Sequence, residues 1–250
     1  MNNAPAPMKS TFFSAFRGVL SVAFGRFAGG SRPMALPILS GPARGLWFRQ
    51  NAMLGDTSMQ TNVNDTLKAL SLICQKGWTI WDCGTSEGVS TVLFSKFVGI
   101  DGLVVCFEPK RDAFLQTYDN ATLNGCNNIL FHFATVGQPA PKHAFLPPVC
   151  ARQLSLDEAY EDGEIPIPHL VRLDLEKTGT SVLTHGSRLI REQRPLIVIN
   201  RYEKKDRQTI IDFSQRNGYS LQSLEDGKSW NEAAELEGPV LCSPGAHAKK

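Results

Sequence analysis

From Asn64 to the C-terminus, apolar runs of five to seven residues alternate with longer stretches of helical periodicity, and this alternation constrains the fold more than any other feature. The apolar runs are WTIWD (Trp78 to Asp82), LVVCFEP (Leu103 to Pro109), NILFHF (Asn128 to Phe133), LVRLDLE (Leu170 to Glu176) and PLIVIN (Pro195 to Asn200). Between them lie helical patterns: one from the Asn64-Asp65 cap to Gly77, one within EGVSTVLFSKFVG, one running to Asn124-Gly125, one around Thr180 to Arg191, and one ending at Asn217-Gly218. Near-continuous apolar strands separated by helices require a parallel sheet covered on both faces. The last two strand patterns, YSLQSL and PVLCS, have no helix between them and predict an antiparallel closing pair. The expected fold is therefore α/β, a mainly parallel, doubly wound sheet with an antiparallel C-terminal strand. It occupies residues 61–250, behind a basic N-terminal segment, residues 1–60.

That N-terminal segment has a composition of its own. No acidic residue precedes Asp56, so the first 55 residues carry +6 and the remainder −4. Phe13, Phe16, Leu20, Phe24 and Phe27 recur at three- and four-residue steps, which places them on one helical face flanked by arginines. Three readings are open for residues 10–28: a helix packed on the body, an amphipathic helix on an anionic membrane surface, and a cleaved presequence. No apolar run reaches 18 residues. The six cysteines show no CxxC and no Cys/His cluster, so they read as reduced thiols in a cytoplasmic protein, with no metal site. A net charge of +2 over the chain gives no general reason to expect a nucleic-acid partner, and none is expected.

In an open parallel sheet, ligands bind beyond the carboxyl ends of the strands, at the point where strand order reverses. Directly after the first strand comes Asp82-Cys83-Gly84-Thr85-Ser86-Glu87-Gly88, where Gly84 allows a tight turn and Gly88 a close helix start. Glu108 ends the second strand 26 residues after Asp82, the place from which a carboxylate accepts hydrogen bonds from ribose hydroxyls. The loop lacks the GxGxxG spacing of a dinucleotide site, and Asp82 and Glu87 disfavour a pyrophosphate, which counts against a nicotinamide-dependent oxidoreductase. S-adenosylmethionine, a ribosyl cofactor with positive charge, fits better. The histidines have no mutual ligand spacing, and His132 reads as a core residue.

The run from Trp81 to Gly137 resembles the core of FkbM-type methyltransferases: a DxGAxxGxxT loop, a strand ending in FEP, and an NxxLNG helix end. Downstream, LSLDEAY, VRLDLEKTGTSVLTHGSRLI and RPLIVIN are similar to further family segments, so the resemblance covers about Ser40 to Leu224. It implies a class I Rossmann-like fold that binds S-adenosylmethionine and methylates a hydroxyl oxygen, on a small-molecule, saccharide or glycolipid acceptor. It also implies that Asp82, Gly84, Thr85, Ser86 and Gly88 form the cofactor loop, that Glu108 and Pro109 hold the ribose, and that Ala134 with Thr135 borders the adenine.

Asp174 and Glu176 close the fourth strand pattern, and their alternation along an extended segment points both the same way. They are the candidate catalytic pair: Asp174 toward the cofactor's methionine end, Glu176 toward the acceptor as proton acceptor. A salt bridge to Arg172, Lys177 or another neighbour is the structural alternative. Lys177 stands where the family usually has Gly, and Asn200 where it often has Glu. These departures motivate a second reading, a Rossmann-like binding module without catalysis. Arg188, Arg191, Arg194, Arg201, Lys204, Lys205 and Arg207 form either a solvated face or an attractor for an acidic sugar or phospholipid head group.

Overall fold

The computed structural model describes residues 35–38, 41–49, 62–137, 151–230 and 236–245. The Phe-rich segment 10–28, the 138–149 loop and Cys150 lie outside the described residues.

The chain begins with a small antiparallel pair, β1 (Ala35–Pro37) and β2 (Trp47–Arg49), followed by α1 (Asn62–Ile73). Then come β3 (Thr79–Cys83), α2 (Val89–Val98), β4 (Leu103–Phe107), α3 (Arg111–Leu123) and β5 (Ile129–His132). The short parallel pair β6 (Ala134–Val136) and β7 (Arg152–Leu154) precedes α4 (Leu156–Glu161). The second half runs β8 (Leu170–Asp174), α5 (Leu175–Thr178), α6 (Ser187–Gln193), β9 (Leu196–Arg201), α7 (Arg207–Asn217), β10 (Tyr219–Ser223), β11 (Ser229–Trp230) and β12 (Val240–Pro244).

Eight strands form one sheet in the order β11-β10-β12-β9-β8-β3-β4-β5. The five from β9 to β5 are parallel, whereas β12 runs antiparallel to both β9 and β10. The chain winds outward from β3 through β4 to β5, then crosses to β8 and winds the other way, so the reversal point lies between β3 and β8. The expected doubly wound sheet with its antiparallel strand is present.

The central strands read as apolar because both faces are covered. Ile80, Trp81, Val104, Val105, Val171 and Val198 are all fully buried. Trp81 packs edge-on against Phe107 in one layer, while Ile80, Leu93, Phe94 and Val104 fill the other. The β1–β2 hairpin is fastened to the domain: Phe48 packs with Val92 and Ala121, and Asn124 and Asn120 bond the backbone of Trp47 and Arg49. Residues 35–49 thus share the core of the sheet domain.

Several boundaries differ from the sequence expectation. The fourth strand ends at Asp174 instead of Glu176, and its pairing with β9 shifts register between Leu173 and Asp174. The helix expected over Thr180 to Arg191 is broken into a 3-10 turn, Thr180–Leu183, and α6. The break lies at Gly186, where an added Cβ would stand 2.6 Å from Leu156 Cδ1, so close packing on α4 fixes the chain path there.

Candidate active site

The carboxyl ends of β3, β4 and β8 bring the sequence candidates together around the reversal point. Asp82, fully buried on β3, accepts hydrogen bonds at Oδ2 from Ser90 (2.9 Å) and Thr91 (2.7 Å). Its Oδ1 accepts from Arg172 Nη1 at 3.1 Å. The same nitrogen donates to the Gly84 carbonyl at 3.1 Å, so one guanidinium ties the neighbouring strand to the loop.

The loop turns through left-handed backbone at Gly84, Ser86 and Gly88, with φ of +82°, +57° and +79°. Gly84 and Gly88 supply this conformation at no steric cost; Ser86 does not, and its backbone N–H donates to Glu108 Oε2 at 2.9 Å. Gly88 is fixed by packing as well, because an added Cβ would lie 2.8 Å from Thr117 Cα in α3. Thr85 is buried, with its hydroxyl 3.2 Å from that of Thr117. Asn120 donates to the Glu87 carbonyl at 2.9 Å, and burial raises the Glu87 carboxyl above its ordinary range.

Glu108 is 1% exposed at the end of β4. Each of its oxygens accepts one backbone N–H at 2.9 Å, Oε2 from Ser86 and Oε1 from Lys110, which leaves one further acceptor position on each. Pro109 is half-buried ahead of the Lys110 cap of α3. Beyond β5, Ala134 is buried in the core and Thr135 half-buried in β6.

Asp174 is fully buried at the end of β8. Its Oδ2 pairs with Arg201 Nη2, accepts from Arg201 Nε at 3.0 Å and lies 3.8 Å from Arg172 Nη2, whereas Oδ1 has no hydrogen-bond partner among the described residues. Glu176 does not follow Asp174 along a strand; it lies in the first turn of α5, about half exposed, with Oε2 3.7 Å from Arg201 Nε. It lines a cavity of about 210 Å³ together with Asn200, Arg201, Tyr202, Lys204, Arg207 and Gly238. The Tyr202 hydroxyl is buried without a hydrogen-bond partner among the described residues, and burial pushes its phenol up to about 12, with Arg207 opposing and Glu237 adding to the shift.

Asp82, the loop, Glu108 and Asp174 thus converge, and Glu176 reaches the neighbouring cavity. Sequence reasoning gave Arg172 only as a structural partner, although a charged residue within an otherwise apolar strand signals a buried counter-charge. Thr117 and Asn120 carried no such signal, since polar residues on a helix normally face water.

No family model and no curated protein matches the chain. Among solved structures, it is similar to a putative rRNA-methylase from Clostridium thermocellum (13% identity, TM-score 0.49, covering 74% of this chain and 97% of that one). It is also similar to a SAM dependent methyltransferase from Aquifex aeolicus (13% identity, TM-score 0.49, 76% and 94% covered). A third is methyltransferase FkbM from Methylobacillus flagellatus (20% identity, TM-score 0.47), where 66% of this chain matches 43% of that one.

The strand order, the reversal between β3 and β8 and the reversed β12 define a class I Rossmann-like methyltransferase fold. The expectation of no nucleic-acid partner is corrected: a structure with this architecture is described as a putative rRNA-methylase. The physical reason is that net charge averages over the whole surface and does not say where the cations lie. Among the described residues, no helix is long and apolar enough to cross a membrane.

Proposed function

We propose that this protein is an S-adenosylmethionine-dependent methyltransferase that methylates a hydroxyl oxygen of a small-molecule, saccharide or glycolipid acceptor. Asp174 carries the reading: a fully buried carboxylate at the reversal point, with one oxygen held by two arginines and the other without a hydrogen-bond partner among the described residues. An unsatisfied buried acceptor costs about 1–3 kcal/mol, which a ligand's N–H donor would relieve. The ammonium at the methionine end of S-adenosylmethionine is such a donor. Glu108 retains acceptor positions for the ribose, the Gly84–Gly88 turn offers close backbone approach, and Ala134 with Thr135 borders the adenine.

Bound S-adenosylmethionine supplies a sulfonium-activated methyl group, open to direct displacement. The chain must then align the acceptor oxygen and exclude water. Glu176 takes the acceptor's hydroxyl proton, with Arg201 beside it to hold the carboxylate in place. The FkbM-type motif order supports that family as the nearer relationship, and for residues 10–28 contact with an anionic membrane surface stands beside packing on the body and a cleaved presequence.

A binding module without catalysis is the second reading. Asn200 favours it, because an amide lines the cavity beside Glu176 at a position where the FkbM-type family often has Glu. Transfer of labelled methyl to a panel of hydroxylated acceptors separates the two. Turnover that falls roughly 10²–10⁴-fold in Glu176→Gln, with S-adenosylhomocysteine binding retained, supports the base role. Unchanged turnover removes that role, and cofactor binding without turnover on any acceptor favours the module.

A further inference from the structure

The parallel strands have their amino ends together, at the end of the domain opposite the candidate active site. The connections that lead into β3, β4 and β5 are bonded to one another there. The Gly77 N–H donates to the Val98 carbonyl at 2.9 Å, the Leu103 N–H to the Trp78 carbonyl at 2.9 Å, and Asn128 Nδ2 to the Gly99 carbonyl at 2.7 Å. Trp47 joins them from the hairpin, its N–H bonded to Asn124 Oδ1 at 2.9 Å. These connections therefore make one continuous surface.

Of the nine exposed large apolar side chains among the described residues, four lie on it: Ile100, Leu72, Trp47 and Leu123. Ile100 is 93% exposed on the turn between α2 and β4, and Leu72 is 79% exposed in the last turn of α1, whose core face is made by Leu67 and Leu70. Isolated apolar side chains on a surface are ordinary, but four on one end call for something that covers them.

The charges around them select the partner. Lys68, Lys76 and Lys96 are exposed and form no salt bridge among the described residues. Lys76 Nζ donates to the Lys96 carbonyl at 3.1 Å and Lys96 Nζ to the Asn124 carbonyl at 2.6 Å, which holds both cations at this end. Asp101 is the one acidic residue on the connections 74–78, 99–102 and 124–128, and the connection into β8, with Asp162 and Glu164, borders the patch. A second copy seated on this end would set lysine against lysine. The Phe-rich segment 10–28, with Arg17 and Arg26 and no acidic residue, would be repelled as well. An anionic lipid surface takes up apolar side chains and attracts lysines, whose stems lie along the boundary while the ammonium groups reach the head groups.

We propose that the amino end of the sheet docks on an anionic membrane surface, with Ile100 and Leu72 entering the lipid and Lys76 and Lys96 at the head groups. The candidate active site, at the other end of the strands, then faces water. This docking is independent of the methyltransferase reading.

The test is co-sedimentation of the full chain with vesicles of phosphatidylcholine alone and of phosphatidylcholine mixed with phosphatidylserine. The expected result is binding to the serine-containing vesicles only, weakened roughly tenfold or more in the double variant Leu72→Ser, Ile100→Ser. The double variant Lys76→Ala, Lys96→Ala should weaken it too. Leu115→Ser with Tyr118→Ser, two exposed apolar side chains of α3 outside the patch, should leave it unchanged. Circular dichroism of each variant checks the fold. Were residues 10–28 alone to carry the binding, the Leu72, Ile100 variant would bind like the wild type. That result, no binding by the wild type, or equal binding to both vesicles overturns the proposal. So does a dimer, seen by sedimentation velocity, that the Leu72, Ile100 variant dissociates.

Discussion

Gly77 and Gly88 share a backbone φ of +79°, but a Cβ added at Gly77 meets nothing within 4 Å, whereas one added at Gly88 lies 2.7 Å from Thr117 Cγ2 and 2.8 Å from Thr117 Cα. Alanine at Gly77 carries only the left-handed backbone penalty, about 1–2 kcal/mol. Alanine at Gly88 carries the same penalty plus overpacking of about 1–3 kcal/mol, because the α3 backbone cannot move aside as a flexible side chain would. The difference isolates the contact between the Gly84–Gly88 loop and α3. At roughly 2–4 °C per kcal/mol for a chain of this size, Gly88→Ala should melt about 2–12 °C below Gly77→Ala, as followed by circular dichroism. Adding Thr117→Ala to Gly88→Ala removes the Cγ2 contact but leaves Cα and Cβ, at 2.8 and 2.9 Å, so rescue should be incomplete. Equal melting temperatures for the two single variants would refute the claim that Gly88 is required by packing, and would leave backbone conformation as its whole role.

Two other variants probe the buried charges and the pH response. Arg172→Met strands the fully buried Asp82 and takes one of the two cations from Asp174, so it should cost about 3–5 kcal/mol in urea unfolding; a loss below about 1 kcal/mol would show that the guanidinium does not hold the loop. Burial lowers the His132 pKa below its ordinary 6.5, with Asp162 opposing and Arg152 reinforcing the shift. The unfolded chain therefore binds the proton more readily, and stability present above pH 6.5 is lost as pH falls through the lower folded value. His132→Phe, in a position that stacks on Phe107, should flatten that part of the stability–pH curve; an unchanged curve would place the pH response elsewhere.

The sheet was legible because its strands are buried on both faces, so LVVCF and LIVIN read as strands from apolarity alone, and Gly-marked turns separated them from the helices. The reversed β12 was legible too, since PVLCS follows YSLQSL with no helical pattern between. The small pairs β1–β2 and β6–β7 were not. Three-residue strands carry too few alternations to stand out, and β2 is fastened by the side chains of Asn120 and Asn124, 71 and 77 residues away. At the site, Asp82, the glycines and Glu108 were visible as residue types at strand ends. Their present partners were not: Glu108 accepts from Ser86 and Lys110, and Asp82 from Arg172, contacts that depend on strand order and register. Glu176 was placed on an extended segment because LDLE continues the apolar alternation, but the chain turns into α5 at Leu175.

The central claim is that the reversal point holds S-adenosylmethionine. Thermal unfolding of the purified protein with S-adenosylhomocysteine, and separately with NAD, each at about a hundred times a trial dissociation constant, tests it directly. Binding at that excess stabilises by roughly 2.7 kcal/mol, worth about 5–10 °C at this chain length. The expected result is such a shift with S-adenosylhomocysteine alone, reduced in Glu108→Gln. A shift with NAD alone, or with neither ligand, would contradict it.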